Sequence, residues 1–244
     1  MEIITSTQNK KIKERAKLLK KKERDLNNLF IVEGNHLIEE AEKANALVEI
    51  YLLEGCINPS TLEPIICSQQ VLNKLSSQKS NAKMIGICRK QKHDKDKSDV
   101  ALFLDDIQDP GNVGTILRSA YSFGVNQIYL SKACADIYNP KTIQSTKGAL
   151  FHLNFEVVDL LETIQRKQEE GMKIYATALH HDSISLQECN PPKSYGIVLG
   201  NEGQGVHEQI IQQCDQTLYI EMDRFESLNV AIATSIVLYT LKHK

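Results

Sequence analysis

Three short segments in the second half of the chain combine small or turn-forming residues with a few polar side chains: Asp109-Pro-Gly-Asn-Val-Gly-Thr-Ile-Leu-Arg-Ser-Ala120, Val198-Leu-Gly-Asn-Glu-Gly-Gln-Gly-Val206 and Glu226-Ser-Leu-Asn-Val-Ala-Ile-Ala233. Small residues let backbone amides approach a ligand, and the polar side chains can orient it. In the first segment Asn112 is placed to cap a helix that carries Gly114 and Arg118, whose guanidinium keeps its proton in water, so that it acts either as an unusually perturbed base or as a bidentate grip on a phosphate that stabilises a developing alkoxide. In the second, Glu202 sits inside a glycine-rich turn, where a carboxylate would repel a phosphate; the turn suits a ligand with a positive charge or hydroxyl groups. Ser227 and Asn229 open the last helix in the third. Taken singly, each segment has a plainer account as a capped helix with a surface cation or a polar turn. Position favours a site, because each segment follows a strand, and in a parallel sheet ligands lie beyond the carboxyl ends of the strands.

Other chemistries find no support in the chain. There is no G-x-G-x-x-G, G-x-S-x-G, Walker or H-E-x-x-H pattern. Six cysteines at 56, 67, 88, 134, 189 and 214 form no C-x-x-C pair and no zinc spacing, which fits reduced thiols in a cytosol and no structural metal. His180-His181-Asp182 resembles a metal or acid–base cluster but lacks a second cluster at ligand spacing, so it is expected to be a polar loop. No apolar run is long enough to cross a bilayer, and no apolar leader opens the chain.

The elements that position these segments follow from hydrophobic periodicity. With 244 residues, 41% of them hydrophobic, one or two domains with proper cores are expected. The net charge of −2 conceals an asymmetry, since residues 1–24 hold nine Lys or Arg against three Glu. Residues 7–24 read as a basic helix with Ile12, Ala16 and Leu19 as a narrow apolar stripe. Strands at 30–32, 47–53, 64–67 and 83–88, with helices at 35–44 and 69–76, make a small α/β domain over residues 1–88. Residues 89–99 have no aliphatic or aromatic side chain and read as a linker. From Val100 the alternation resumes: strands at 100–105, 126–131, 154–158, 173–179, 194–199 and 216–221, and helices at 112–123, 140–149, 159–170, 204–213 and 227–241. Strands separated by helices imply a parallel sheet covered on both faces, with Leu228, Ile232 and Ile236 as the buried stripe of the last helix.

The three segments, in this order and spacing, resemble the signature motifs of the SpoU (TrmH-type) RNA 2′-O-ribose methyltransferases of the SPOUT class. Ile4-Thr-Ser-Thr-Gln-Asn9 and Phe30-Ile-Val-Glu-Gly34 likewise resemble the RNA substrate-binding domain that precedes the catalytic domain in many members. The resemblance implies an α/β fold in which residues 100–244 form a parallel-sheet methyltransferase domain with a deep trefoil knot over roughly 195–241. It implies S-adenosyl-L-methionine as cofactor, contacted at Gly200, Ile220 and Leu228 with Glu202, Met222 and Ser227 close by. It also implies Arg118 as the residue acting on the ribose hydroxyl, positioned by Asn112 and Asn229. The expected partners are RNA, with ribosomal RNA ahead of transfer RNA, and a second copy of the chain; the expected compartment is the cytoplasm. A non-catalytic RNA-binding protein retaining the fold is disfavoured by the intact Arg118, Asn112 and Asn229, and a nucleotide-binding oxidoreductase by the absence of a dinucleotide fingerprint. The chain departs from the family pattern at Gln144, where arginine is common, and at Thr146, where serine is common, which bears on RNA contacts from that helix.

Overall fold

The computed structural model describes residues 3–78, 81–91, 98–178, 182–224 and 227–244. Part of the expected linker (92–97), His180-His181 and Glu226 lie outside the described residues. The chain divides into two units, residues 1–92 with 136–151, and residues 93–135 with 152–244.

The first unit opens with α1 (Lys10–Ala16), a single 3₁₀ turn at Lys17–Leu19 and α2 (Lys21–Asn27), where the periodicity predicts one helix. The break falls at Lys20, whose backbone is extended. The carbonyls freed there are taken by the buried Arg24, whose Nη1 donates to Leu18 O (3.0 Å) and Leu19 O (2.9 Å). Ile12 and Leu18 are buried on this segment, and Ala16 and Leu19 pack partly buried against them. Next come β1 (Leu29–Glu33), α3 (Asn35–Lys43), β2 (Leu47–Leu53), β3 (Ile65–Cys67), α4 (Gln69–Leu75) and β4 (Met84–Arg89). The sheet runs β1-β4-β2-β3, with β4 antiparallel to both neighbours. Its core holds Tyr51, Leu72, Ile85 and Ile87.

The second unit begins with β5 (Val100–Leu104), α5 (Pro110–Ser122) and β6 (Gln127–Leu130). The chain then returns to the first unit for α6 (Pro140–Thr146), a segment the sequence pattern does not separate from the catalytic half. Aromatic packing explains the return: the ring of Phe30 on β1 lies 4.8 Å from Tyr138 and 6.1 Å from Phe151. Arg24 Nη2 also donates to Asp136 Oδ2 at 2.6 Å. The two departures from the family pattern are internal contacts here. Gln144 Nε2 donates to the Glu33 carbonyl at 2.9 Å, and Thr146 is fully buried with its hydroxyl on Ile143 O.

Then follow β7 (Asn154–Val157), α7 (Leu160–Glu169), β8 (Lys173–Thr177), β9 (Ile184–Ser185), β10 (Tyr195–Leu199), α8 (Glu208–Gln213), β11 (Gln216–Tyr219) and α9 (Val230–Lys242). The sheet order is β7-β6-β5-β10-β8-β11-β9, parallel throughout. Every residue of β6 and β10 is buried, as expected for strands covered on both faces. From β5 the order proceeds one way to β6 and β7; β8 and β11 lie on the other side, beyond β10. The gap between the carboxyl ends of β5 and β10 is therefore the topological switch point of the sheet. The sequence pattern misplaces the buried face of α9. Val230, Ala231, Thr234, Val237, Leu238 and Leu241 are buried, whereas Leu228 and Ile232 are exposed and Ile236 is half-buried. A correct helical period with the wrong phase produces this error.

One polar cluster fastens α1 to the first sheet. Arg15 grips the Glu49 carboxylate through Nε (2.9 Å) and Nη2 (2.7 Å), and the Tyr51 hydroxyl donates to the same group at 2.6 Å. Burial pushes the Glu49 carboxyl up, but Arg15, Tyr51 and Lys11 outweigh it and hold its pKa at about 2. A depressed carboxylate pKa contributes stability above the unfolded value near 4.5 and loses it as pH falls toward about 2. Glu49→Gln should therefore cost the first unit on the order of 2 kcal/mol at pH 7, after allowing for solvent screening, and almost nothing at pH 2. Amide-exchange protection in β2 and β4 at the two pH values measures this; an equal cost at both would sink it.

Candidate active site

The rim of the second sheet is assembled by side chains that terminate strands and start helices. Asp105 extends the β5 ladder by one bond, N to Leu199 O at 2.8 Å, and Asp106 turns the chain with φ 54°. Asp109 then caps α5 by accepting from Asn112 N at 3.0 Å, with Pro110 opening the helix. Asn112 is thus not the cap that its position suggests. Its side chain is released: Nδ2 donates to the Glu202 carboxylate, and Oδ1 accepts from Asn229 Nδ2 at 3.0 Å. Asn229 is the true cap of α9, its Oδ1 accepting from Ala231 N (3.0 Å) and Ile232 N (3.4 Å). The three segments therefore meet in a chain of hydrogen bonds that fixes which end of each amide donates.

The Gly200–Val206 turn closes on itself. Asn201 N donates to Gly205 O at 3.0 Å, Gly205 N to Asn201 O at 2.8 Å and Gly203 N to Asn201 Oδ1 at 2.8 Å. Gly205 has φ +71°, which ends any helical run there, so α8 starts at Glu208 and not at 204 as the periodicity predicts. A Cβ at Gly200 would lie 2.1 Å from both Gly205 C and Val206 N, so only glycine fits this crossing of backbone on backbone. Both ends of the turn are tied to the β5 exit. Asn201 Nδ2 donates to Asp106 O at 2.9 Å, and Asp105 Oδ2 accepts from His207 N and His207 Nδ1, each at 2.8 Å. The Asp105 hydrogen bond, with its charge, raises the pKa of the exposed His207 ring. Asp105, Asp106 and His207 form the one group with metal-like spacing among the described residues, and bonds within the protein account for their geometry. Sequence spacing could not show it, because His207 lies a hundred residues beyond the two aspartates.

Between this turn and the segment after β11 lies a cleft of about 480 Å³ at the carboxyl ends of β8, β10 and β11. Gly200, Glu202, Ile220, Met222, Ser227 and Leu228, all singled out from the sequence, line it together. Its walls are mainly aliphatic, including Leu199, Leu218 and Val230, and Glu202 is the only charged residue in the lining among the described residues. Sequence reasoning missed Thr177, Ala178 and Tyr219, whose signal is only that they end strands. Arg118 is not part of the lining. It lies on the exposed surface of α5, and its guanidinium has no hydrogen bond or ion pair among the described residues.

With this geometry in place, comparison with known proteins is decisive. Residues 99–239 match the model of the SpoU rRNA methylase family, and residues 9–86 match the MRM3-like substrate binding domain. The chain belongs to the SpoU rRNA methylase family. It is 34% identical to the 23S rRNA (guanosine(2553)-2′-O)-methyltransferase RlmP of Bacillus subtilis, an alignment covering 99% of this chain and all of that one. A crystal structure of an RNA 2′-O ribose methyltransferase is 28% identical, with a TM-score of 0.86 over 99% of this chain and 98% of that one. The AdoMet-bound rRNA methyltransferase of Sinorhizobium meliloti shares the fold, with a TM-score of 0.84 at 23% identity over 99% of this chain and 97% of that one.

The backbone crossing at Gly200 gives a test of this SpoU-family site. Gly200→Ala should lower stability by at least about 3 kcal/mol, because no side-chain rotation relieves a clash with main chain. Gly203→Ala, whose Cβ would meet nothing nearer than Asn201 Oδ1 at 3.4 Å, should stay within about 0.5 kcal/mol of wild type. Thermal denaturation of the pair checks both, and comparable losses in the two variants would contradict the crossing.

Proposed function

We propose that this chain is an S-adenosylmethionine-dependent methyltransferase acting on a ribose 2′-hydroxyl of ribosomal RNA, in the cytoplasm and as a homodimer. The observation that carries the reading is that the second and third segments line one cleft, while Asn112 of the first is hydrogen-bonded to both through Glu202 and Asn229. The full-length relative in Bacillus subtilis is named for this reaction on 23S rRNA, which favours ribosomal over transfer RNA. Included in the proposal are the domain boundaries at 88 and 100 and the knotted threading of residues 195–241 that the family resemblance implies.

The cleft fits the cofactor on its own chemistry. Among the described residues, one carboxylate, no cation and mainly aliphatic walls suit an uncharged purine and a cationic sulfonium, and they would repel the pyrophosphate of a dinucleotide. Gly200, Ile220 and Leu228 would hold it with Glu202, Met222 and Ser227 alongside. When bound, S-adenosylmethionine supplies a methyl group activated by its positive sulfur.

The protein's own residues have to align the ribose and stabilise the charge that grows on its oxygen. Arg118 is suited to this because its five donors are uncommitted among the described residues, so it can take a backbone phosphate bidentately and still face the developing alkoxide. Asn112 and Asn229 position it and the sugar. Arg118 stands outside the cleft lining of its own chain, while Ile232 and Tyr239 on α9 and Tyr121 on α5 leave apolar surface exposed. That combination supports a site completed by a second copy.

Arg118→Lys, which keeps the charge but loses the fork, should reduce turnover by about 100-fold or more while leaving S-adenosylmethionine binding within about twofold. Radiolabel transfer to 23S rRNA and calorimetry read the two arms, and a fully active lysine variant would refute the assignment. Replacing Lys20, Lys21 and Lys22, all exposed, with alanine should weaken RNA binding at low salt. It should also flatten the log–log salt slope by about 0.7–0.9 for each phosphate no longer neutralised, measured as binding against salt. An unchanged slope would remove α2 from the RNA-binding surface.

A further inference from the structure

The buried carboxylate of Asp105 has no part in the reaction just described, yet it is the group on which the cofactor turn is hung. Its side chain is 3% exposed and its Oδ2 accepts two bonds from one residue, His207 N and His207 Nδ1, at 2.8 Å each. His207 is the first residue after the Gly200–Val206 turn. At the turn's other end, Asn201 is held by the carbonyl of Asp106, the neighbour of Asp105. A buried carboxylate with two donors from one residue is a rigid anchor, because losing either donor leaves charge under-compensated in a low-dielectric setting. Asp106 is fixed in turn by Ser131, whose hydroxyl bonds its carboxylate at 2.5 Å and accepts from its amide at 3.0 Å. Two consecutive residues at the end of β5 thus clamp both ends of a loop that starts almost a hundred positions later.

We propose that Asp105 and His207 are a positioning pair that sets cofactor affinity by holding Gly200, Glu202 and Gly205 as the wall of the cleft. The proposal rests on the reading that this cleft binds S-adenosylmethionine. The pair touches neither the cleft nor Arg118, so it acts through the turn. Releasing His207 lets the turn open away from the cleft, which weakens binding. Asn112 remains held at its other end by Asn229 and at its backbone by Asp109. The effect therefore falls on cofactor affinity and not on the step that follows binding.

Calorimetry with S-adenosylmethionine and steady-state kinetics on 23S rRNA test this in the full chain. Asp105→Ala, which removes both acceptor bonds, should raise Kd and KM for S-adenosylmethionine about tenfold, with kcat at saturation within about threefold of wild type. Asp105→Asn keeps an oxygen that can accept from the His207 backbone, and His207→Ala keeps that backbone donor. Each should raise Kd about threefold, and their thermal melts report whether the fold is intact. If Asp105→Ala does not fold, these two variants carry the test. Wild-type affinity in both, or a fall in kcat with KM unchanged, overturns the pair's role. A wild-type protein that fails to bind S-adenosylmethionine overturns the cofactor reading itself, which separates the two failures.

Discussion

A side-chain amide donates from one end and accepts at the other, and that limit orders the rim of the second sheet. Asn229 commits its oxygen to the first turn of α9, so only its nitrogen remains for Asn112. Asn112 must then present its oxygen to Asn229 and its nitrogen to Glu202. The direction of the whole series is dictated by the cap of one helix. It ends at a carboxylate because a carboxylate only accepts. Had Asn112 capped its own helix, as its position in the motif suggests, its oxygen would have been spent on backbone amides and the three segments would have no common link. Asp109 takes the capping duty, with Pro110 pre-set for the first turn, and so frees Asn112 for this role.

The same economy shapes the cleft. A turn that carries an acidic side chain toward a ligand must not depend on that ligand for its conformation. The Gly200–Val206 turn does not: its paired backbone bonds, the Asn201 side chain and the two anchors on Asp105 and Asp106 satisfy it internally. Preorganisation of this sort lowers the entropy lost on binding and holds Glu202, the one charge among the described lining residues, in a mainly aliphatic pocket.

Much of this was legible in the sequence, and the failures have physical causes. The alternation of strands and helices gave the parallel sheet, and the family resemblance gave six residues that the fold brings to one cleft. Local periodicity could not see that Arg24, far from the apolar stripe, would hold the carbonyls at a break in the first helix. Nor could it see that Phe30 would draw Tyr138 and Phe151 into the first unit, since aromatic packing across a hundred residues leaves no spacing signal. The phase of α9 was misjudged because aliphatic residues occur on most of its circumference, and amphipathic reasoning has no purchase on a helix that is apolar nearly all round. Asp105 and His207 lie a hundred residues apart in the sequence, and only the parallel pairing of β5 with β10 sets their strand ends side by side.

Charge is distributed by the same logic of commitment. In the first unit, Lys11 and Arg15 are both committed to Glu49, and Arg24 to Asp136. Three of the nine cations that make the N-terminal segment basic are therefore structural. The exposed lysines at 10, 13, 17, 20, 21 and 22 carry what remains of the positive field, and they lie along both short helices and not on one continuous helical face. The kink at Lys20 consequently matters for electrostatics as much as for packing, because it sets the direction of the second cluster independently of the first. A straight helix, advancing 100° per residue, would gather Lys10, Lys13, Lys17, Lys20 and Lys21 within about 100° of one face. The break at Lys20 divides them instead between two short helices, so the positive charge is not carried along one straight face.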